Sequence, residues 1–338
     1  MTELLYITRK VRGTGGMQRL NADLWKGFQQ FPGVRVKRVA PLFFADVSFP
    51  LRALFSAYRS RRYVSRIHLG DAALCPLGAA LGRMTGIPIS VTACGLDVVY
   101  PKKWYQRLLR SSLPAMDHVV SISRWTAHQV EGRGVPHAKI SVIPCGTWET
   151  SQTQRTTQSP LTLLTVARLI PRKGAAWFLR HVFPLLLKEI PTLRYIIIGS
   201  GPCETGIRSI IRSLHLETSV QLLIDCDDRT RDGWLNRAHL FVMPNIERAD
   251  DPEGFGIACI EAGSRGLPVA AASIDGITDA VIEGKTGHFF RSEDPDDCAR
   301  VILQALKRPL PSASVSRETM KHFHWPGLLH SYRHVFAL

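Results

Sequence analysis

Short apolar, β-branched runs recur along the first half of the chain and alternate with stretches whose apolar positions repeat at helical intervals. Leu4–Thr8 precedes the helical pattern of Gln18–Gln30, Val119–Ile122 precedes Arg124–Glu131, and Ile89–Thr92 and Ile140–Ile143 read as further strands. Strand and helix patterns in alternation predict a parallel sheet with crossover helices. The polar stretch Thr147–Ser159 then offers almost nothing apolar to bury and reads as an interdomain linker. Beyond it the alternation restarts with Leu161–Ala167, Arg194–Ile198, Val220–Ile224, Leu240–Met243 and Pro268–Ala271, which predicts a second α/β domain. The tail is helical in pattern, with Phe323, Trp325, Leu328, Leu329, Tyr332 and Phe336 available to dock it. The expected organisation is a domain over 1–147, a linker over 148–159, a domain over 160–313 and a helical segment over 314–338.

A length of 338 residues with 45% apolar content suits two soluble cores rather than one. Charge changes the picture more. The formal charge is +15, and residues 1–150 hold 21 Lys and Arg against 8 Asp and Glu, while residues 151–338 hold 22 against 20. A basic half joined to a near-neutral half points to phosphate-rich material, whether anionic lipid, lipid diphosphate or nucleic acid. In Leu51–Arg66, Leu51, Leu54, Phe55 and Tyr58 recur at helical intervals while Arg52, Arg59, Arg62 and Arg66 follow a second face. In Lys102–Leu113, Trp104, Tyr105, Leu108, Leu109 and Leu113 form a stripe beside Lys103, Arg107 and Arg110. Both read as basic amphipathic helices at an anionic membrane surface. The plainer alternative turns the stripes into the core and solvates the charges. Apolar stretches such as Ala72–Leu81 are too short to span a bilayer, and the N-terminus opens as a strand, so neither a span nor a signal peptide is expected. Seven scattered cysteines without a Cys-x-x-Cys pair fit a reducing cytoplasm. The expected location is cytoplasmic, peripheral at the inner face of the membrane.

The sharpest local signal is Asp251-Pro252-Glu253-Gly254-Phe255-Gly256 running into Ile257–Ala262. Were Glu253 and Glu261 to lie along one helix and its first turn, they would stand about 12 Å apart. That is wider than the roughly 5–9.5 Å of a hydrolytic carboxylate pair, and it suits a ligand with hydroxyls at both ends and a diphosphate between them. The Gly254-Phe255-Gly256 backbone lets N–H groups at a helix start approach an anion. A turn followed by an exposed helix Glu is the plain alternative. Val166–Gly174 places Arg168, Arg172 and Lys173 just past a predicted strand, where parallel sheets put ligands. Arg168 and Lys173 suit a diphosphate leaving group, whereas Arg172 reads as part of a solvated loop.

Other candidates are weaker. Gly13-Thr14-Gly15-Gly16 is a turn able to admit a phosphate, but Gln18 stands where a dinucleotide fingerprint needs glycine, and Gly199-Ser200-Gly201-Pro202 fails likewise at Glu204. A nicotinamide enzyme is thereby disfavoured. Asp225-Cys226-Asp227-Asp228 and the His330/His334 pair lack a supporting ligand cluster, so a loop and two surface histidines are expected instead.

Taken together, these residues resemble the retaining GT-B transferases of glycosyltransferase family 4 along nearly the whole chain. Gly15-Gly16 resembles the N-terminal glycine loop, Asp117–Ser123 the strand ending in Ser, and Ile143-Pro144-Cys145-Gly146 the closing strand of the first domain. Arg168 and Lys173-Gly174 match the family's Arg and Lys-Gly, and Glu253 to Glu261 matches its E-x7-E signature. Gly266-x-Pro268-Val269 and Glu283-Gly284-x-x-Gly287 follow at familiar spacing. The resemblance implies two Rossmann-like domains with parallel sheets facing across a cleft, acceptor on the first and donor on the second, with the C-terminal helix crossing back. It implies that Glu253 contacts the transferred sugar, Glu261 the ribose, and Arg168 and Lys173 the diphosphate, with Gly254, Phe255 and Gly256 beside them. It further implies a UDP- or GDP-sugar donor, a lipid-linked or saccharide acceptor, and no metal or other cofactor. The segment Asp251–Glu261 is most similar to mannosyltransferase-like members. Thr92-Ala93-Cys94-Gly95-Leu96-Asp97 resembles Thr-x-His-Gly-x-Asp, with Cys94 where His is usual, which places Cys94 and Asp97 on the acceptor side. Asp279 stands where Glu is common. Two other readings compete: a nucleotide-sugar epimerase of the same fold, and a basic nucleic-acid-binding protein, disfavoured because the cations lack the aromatic-flanked motifs of an RNA reader.

Overall fold

The computed structural model describes residues 2–9, 13, 15–43, 46–148 and 160–338. The linker expected over 148–159 lies outside them except for Trp148. The chain divides into two compact units, the first comprising residues 1–146, 253–255 and 325–338, the second 147–252 and 256–324.

In the first unit the strands are β1 (Thr2–Ile7), β2 (Val34–Val39), β3 (Val64–Leu69), β4 (Ile89–Ala93), β5 (His118–Ser121) and β6 (Ile140–Val142). They pair in parallel in the order β2-β1-β3-β4-β5-β6. Between them run α1 (Gly16–Phe28), α2 (Phe49–Ser60), α3 (Cys75–Thr85), α4 (Leu96–Val99), α5 (Lys103–Ser112) and α6 (Arg124–Glu131). The central strands are buried and dominated by Val, Ile and Leu, as a sheet covered on both faces requires. One core gathers Ala53 and Ala57 of α2, Cys75 and Leu81 of α3, and Leu109 of α5 against Leu5, Ile67 and Val91 of the sheet.

Two strands here escape a hydrophobicity reading. β2 is the edge strand, and its Val34 and Val36 alternate with exposed Arg35 and Lys37, the kind of charge that protects an unpaired edge. β3 carries Ser65, Arg66 and His68 among its apolar residues. The helix expected over Leu51–Arg66 therefore stops at Ser60, and Arg66 belongs to β3, donating from Nε to the Phe336 carbonyl at 3.1 Å. Neither apolar stripe is uniform. On α2, Phe49, Ala53 and Ala57 face the core while Leu51, Phe55 and Tyr58 are exposed; on α5, Leu109 is buried while Trp104 and Leu108 are exposed.

The second unit holds β7 (Thr162–Val166), β8 (Arg194–Ile198), β9 (Val220–Leu223), β10 (Leu240–Met243), β11 (Val269–Ala272) and β12 (Gly287–Phe290), all parallel, in the order β12-β11-β10-β7-β8-β9. Its helices are α7 (Ala175–His181), α8 (Phe183–Glu189), α9 (Glu204–Ser213), α10 (Asp228–Arg237), α11 (Ile257–Ser264), α12 (Pro295–Lys307) and α13 (Ser312–Phe323). Strand order reverses between β7 and β10, the doubly wound arrangement.

The tail is two helices. His324 is extended (φ −76°, ψ 124°) and ends α13. Pro326 then sits in the first turn of α14 (Trp325–Phe336), where a missing N–H is harmless. α13 packs in the second unit, Thr319 filling the space left by Gly263 and Ser316 donating to the Ser264 carbonyl at 2.8 Å. α14 packs in the first. Leu329 lies so close over Gly27 that a Cβ there would come within 2.4 Å of it, and Trp325 covers Gly146 in the same way. Tyr332 and Phe336 close on Phe28 at ring distances of 5.5 and 5.4 Å.

Candidate functional site

In the first sheet the chain order reverses between β1 and β3, so the loops after these strands form the place where such sheets admit ligands. Arg9, just past β1, reaches Asp71, just past β3, at 2.8 Å, and Asp71 is fully buried. Asp97 on α4 accepts the Ala72 N–H at 2.8 Å and the Cys94 N–H at 2.9 Å, so one carboxylate joins the loop after β3 to the loop after β4. Burial, then the neighbouring charge of Asp71, pushes the Asp97 carboxyl up to about 7, against the two N–H donors and Arg9. Asp97 thus orders the loop that carries Cys94. Cys94 is half-buried, and burial, with Asp97 and Asp71 next, raises its thiol far enough to stay protonated at neutral pH. Gly95 has φ +99°, a conformation that favours glycine. Glu253–Phe255 cluster with this unit. A Cβ on Gly254 would lie 2.1 Å from the Cys94 carbonyl oxygen, so only glycine fits the observed backbone there. Gly15 caps α1 in extended conformation and Gly16 is its first residue, with no acidic side chain in the first turn. Arg9 and Asp71 were not singled out in the sequence; the only signal for Asp71 is its place directly after an apolar strand and a glycine.

In the second unit, β7 and β10 are the strands between which order reverses, and Arg168 is exposed just past the end of β7. Lys173 follows in a short 3-10 turn, half-buried. Gly174 closes that turn with φ +70°, and a Cβ on it would fall 1.6 Å from the Pro244 carbonyl oxygen, just past β10. The Lys-Gly pair therefore locks the two switch-point loops together. Arg172 is not solvated: it is buried and pairs with Asp251 at 3.1 Å, because its carbonyl also accepts the Ile246 N–H and draws the turn inward. Gly199 and Gly201 likewise serve close backbone approach, to Ala167 and Leu169.

Glu253 and Glu261 do not share a helix. α11 begins at Ile257 behind Gly256 (φ +109°), leaving Glu253 in the preceding loop and Glu261 midway along the helix, so the 12 Å spacing estimate loses its premise. Beside Glu261 the structure gathers Arg231 of α10, which pairs with Asp228 at 2.8 Å and Asp232 at 3.0 Å, and Arg265, which reaches Asp232 at 3.0 Å. Partial burial opposes the Arg231 charge, but its bond to Asp232 and the charge of Glu261 outweigh this and raise its pKa. In the Asp225–Asp228 stretch, Asp227 caps α10 by accepting the Thr230 N–H at 2.9 Å. Among the described residues no three His, Cys, Asp or Glu side chains gather as for a metal ion. His330 and His334 are exposed on α14.

A family model described as glycosyl transferases group 1 matches residues 147–322, and one described as a glycosyl transferase 4-like domain matches residues 14–146. The chain belongs to the group 1 glycosyl transferases. This group 1 glycosyl transferase is 29% identical over 238 residues to the putative colanic acid biosynthesis glycosyltransferase WcaL of Salmonella typhimurium, covering 69% of this chain and 57% of that one. It is 28% identical over 207 residues to the amylovoran biosynthesis glycosyltransferase AmsK of Erwinia amylovora (60% and 50%). It is 33% identical over 141 residues to the phosphatidyl-myo-inositol mannosyltransferase of Propionibacterium freudenreichii (41% and 33%). The matched stretch thus spans about half the length of the first two relatives and a third of the last. Among solved structures, Anabaena HepE in complex with UDP and glucose superposes with a TM-score of 0.75 at 16% identity, covering 100% of both chains. The apo form of the lipopolysaccharide outer core galactosyltransferase WaaB gives 0.71 at 14% identity, covering 99% of both. Likeness at such identities is likeness of fold, and with two doubly wound sheets it makes this a two-domain GT-B protein.

Proposed function

We propose that the protein transfers a sugar, mannose or a similar hexose, from a UDP- or GDP-sugar to a saccharide or lipid-linked acceptor at an anionic membrane, with retention of anomeric configuration, in cell-envelope polysaccharide or glycolipid assembly. The observation that carries this reading is the pair of cations, Arg168 and Lys173, at the switch point of the second sheet. As the glycosidic bond breaks, negative charge grows on the leaving diphosphate, and fixed cations there lower the barrier. Glu253 accepts hydrogen bonds from the transferred sugar and Glu261 from the ribose, roles that follow from the family resemblance. The acceptor oxygen forms its bond to the anomeric carbon on the face the diphosphate leaves, and its proton passes to the diphosphate. The relatives named for colanic acid biosynthesis, amylovoran biosynthesis and phosphatidyl-myo-inositol mannosyl transfer support the acceptor class, and the neighbour in complex with UDP and glucose supports the donor class.

Calorimetric titration with UDP, GDP and their sugars tests the reading. Arg168→Gln and Lys173→Gln should each weaken nucleotide-sugar binding by about tenfold or more, the scale of one charge-assisted contact. Unchanged affinity in both variants would remove the two cations from the donor site.

A further inference from the structure

The exposed large apolar side chains of the described residues are concentrated in one segment of the first unit. Of the thirteen, seven fall between residues 42 and 63: Leu42, Phe43, Val47, Leu51, Phe55, Tyr58 and Tyr63. Val47 is 88% exposed, Leu51 69% and Phe55 67%, although α2 has already satisfied the core with its opposite face through Phe49, Ala53 and Ala57. A soluble helix with a second apolar face is unusual, and contiguous exposed apolar surface marks a docking site.

This face is also strongly basic. Residues 35–66 hold eight Lys and Arg against a single acid, Asp46. That acid is spent internally. Asp46 accepts the N–H groups of Leu42 and Ser48 at 3.0 Å each, the Ser48 hydroxyl at 2.6 Å and the Arg52 guanidinium at 2.5 Å. The Leu42 N–H, then Ser48, hold its carboxyl well below the usual range, so the clasp persists across physiological pH. It fixes the end of β2 against α2 and leaves an open groove of about 840 Å³ between them. Lys37, Arg38, Leu42, Leu51, Arg52 and Phe55 line it, with no acid among the lining residues. Arg38 lies over the Trp25 ring at 4.6 Å, on the opposite face of β2, and Arg52 is held by Asp46, so Lys37 is the lining cation that faces the groove. A cation at one side and aliphatic and aromatic side chains at the other match a phosphate joined to hydrocarbon.

We propose that this groove and the outer face of α2 dock on an anionic phospholipid bilayer, Lys37 receiving a lipid phosphate while Leu51 and Phe55 enter the interface beside it. The inference deepens the membrane reading above and rests on it, but it is separable from sugar transfer. Two other occupants fit less well. A second copy related by a twofold axis would set one basic face against another, which like charge opposes. Single-stranded nucleic acid would stack on Phe43, Phe55, Tyr58 and Tyr63, but it gives no partner to the exposed aliphatic side chains of Leu42, Val47 and Leu51, which a bilayer buries.

Sedimentation of the full chain with phosphatidylcholine vesicles, with and without phosphatidylglycerol, at low and physiological salt, tests the proposal. Binding should require phosphatidylglycerol and weaken with salt. The triple variant Lys37→Gln, Arg59→Gln, Arg62→Gln should lose about a hundredfold in partitioning at low salt, each cation contributing about fivefold. Leu51→Ser with Phe55→Ser should lose about tenfold or more; both side chains are exposed, so folding is not at stake. Phe55→Trp should be quenched by bromine-labelled lipid. Equal binding to neutral and anionic vesicles, variants that bind like wild type, or an unquenched Trp at position 55 would each overturn the proposal. So would a dimer that Leu51→Ser dissolves, or DNA that displaces the protein from vesicles. Nucleotide-sugar binding measured on the same samples separates the two claims: vesicle binding without any donor binding supports the docking face while removing sugar transfer.

Discussion

His68 should make the first unit acid-labile by an amount that its surroundings set. It is fully buried in β3, stacked on Tyr6 at 5.8 Å and packed edge-on to Phe28 and Tyr332, with its ring nitrogens 2.9 Å from the Ser90 hydroxyl and 3.0 Å from the Thr92 hydroxyl. Burial, then the charges of Arg66 and His118, pushes its pKa down to about 3 from an unfolded value of 6.5. The folded state therefore keeps the ring neutral while the unfolded chain binds a proton below 6.5, so this stability is whole above 6.5 and is lost as pH falls toward 3. At pH 4.5, about two units below the unfolded value, the loss is about 3 kcal/mol, levelling near about 5 kcal/mol below pH 3. The variant His68→Gln keeps a hydrogen-bonding side chain but does not titrate. Its own destabilisation should therefore be about 3 kcal/mol smaller at pH 4.5 than at pH 7.5. Comparing wild type with variant at each pH cancels the opposite contribution of Asp97, whose raised pKa favours the fold on the acid side. Urea unfolding, with hydrogen exchange of β3 and α14 amides to isolate this unit, is the assay. An identical penalty for the variant at both pH values, or an NMR titration of His68 near 6, would refute the argument.

Glu253→Gln should leave the fold intact and lower turnover on the order of a hundredfold, the usual cost of one well-placed electrostatic contact; turnover within about threefold of wild type would take Glu253 out of the site. Cys94→His should be tolerated and keep or raise activity, whereas Asp97→Asn, which leaves the Ala72 or Cys94 N–H without its acceptor, should destabilise by about 1–3 kcal/mol and impair acceptor use; a stable, fully active Asp97→Asn protein would contradict the loop-ordering role. Gly174→Ala should disrupt the donor loops, since its Cβ meets the Pro244 carbonyl at 1.6 Å, and wild-type nucleotide-sugar affinity in that variant would contradict the lock. Because Arg168 and Lys173 are assigned the charge of the diphosphate, chelation with EDTA should leave turnover unchanged; a loss restored by magnesium would move that role to a metal.

The parallel sheets were legible wherever strands are buried on both faces. Arg194–Ile198 and Leu240–Met243 coincide with β8 and β10, because a covered strand is a nearly unbroken apolar run. β2, β3 and β12 were not legible: one is a charged edge, one buries a histidine whose partners are remote in sequence, and the last, Gly287–Phe290, is a half-buried edge strand that opens on glycine and carries His288. The E-x7-E spacing marked a glycine turn running into a helix, yet not where the helix starts, since the positive φ that Gly256 supplies ends the loop three residues after Glu253. Lys173-Gly174 could be matched to a family, but the reason for glycine lies in Pro244, seventy residues away. Arg172 resembled its cationic neighbours, and only Asp251 sets it apart. Arg9, Asp71 and Asp97 became a network only when β1, β3 and β4 were laid side by side.

Product analysis by NMR, after incubating the full chain with α-linked UDP- and GDP-sugars and a membrane-extracted saccharide acceptor, tests the central claim most directly. The account predicts a new α-glycoside on the acceptor with release of the nucleoside diphosphate, both abolished by Glu253→Gln. A β-linked product would contradict retention, an epimerised donor with no acceptor consumed would favour the epimerase reading, and release of free sugar with every acceptor offered would contradict transfer itself.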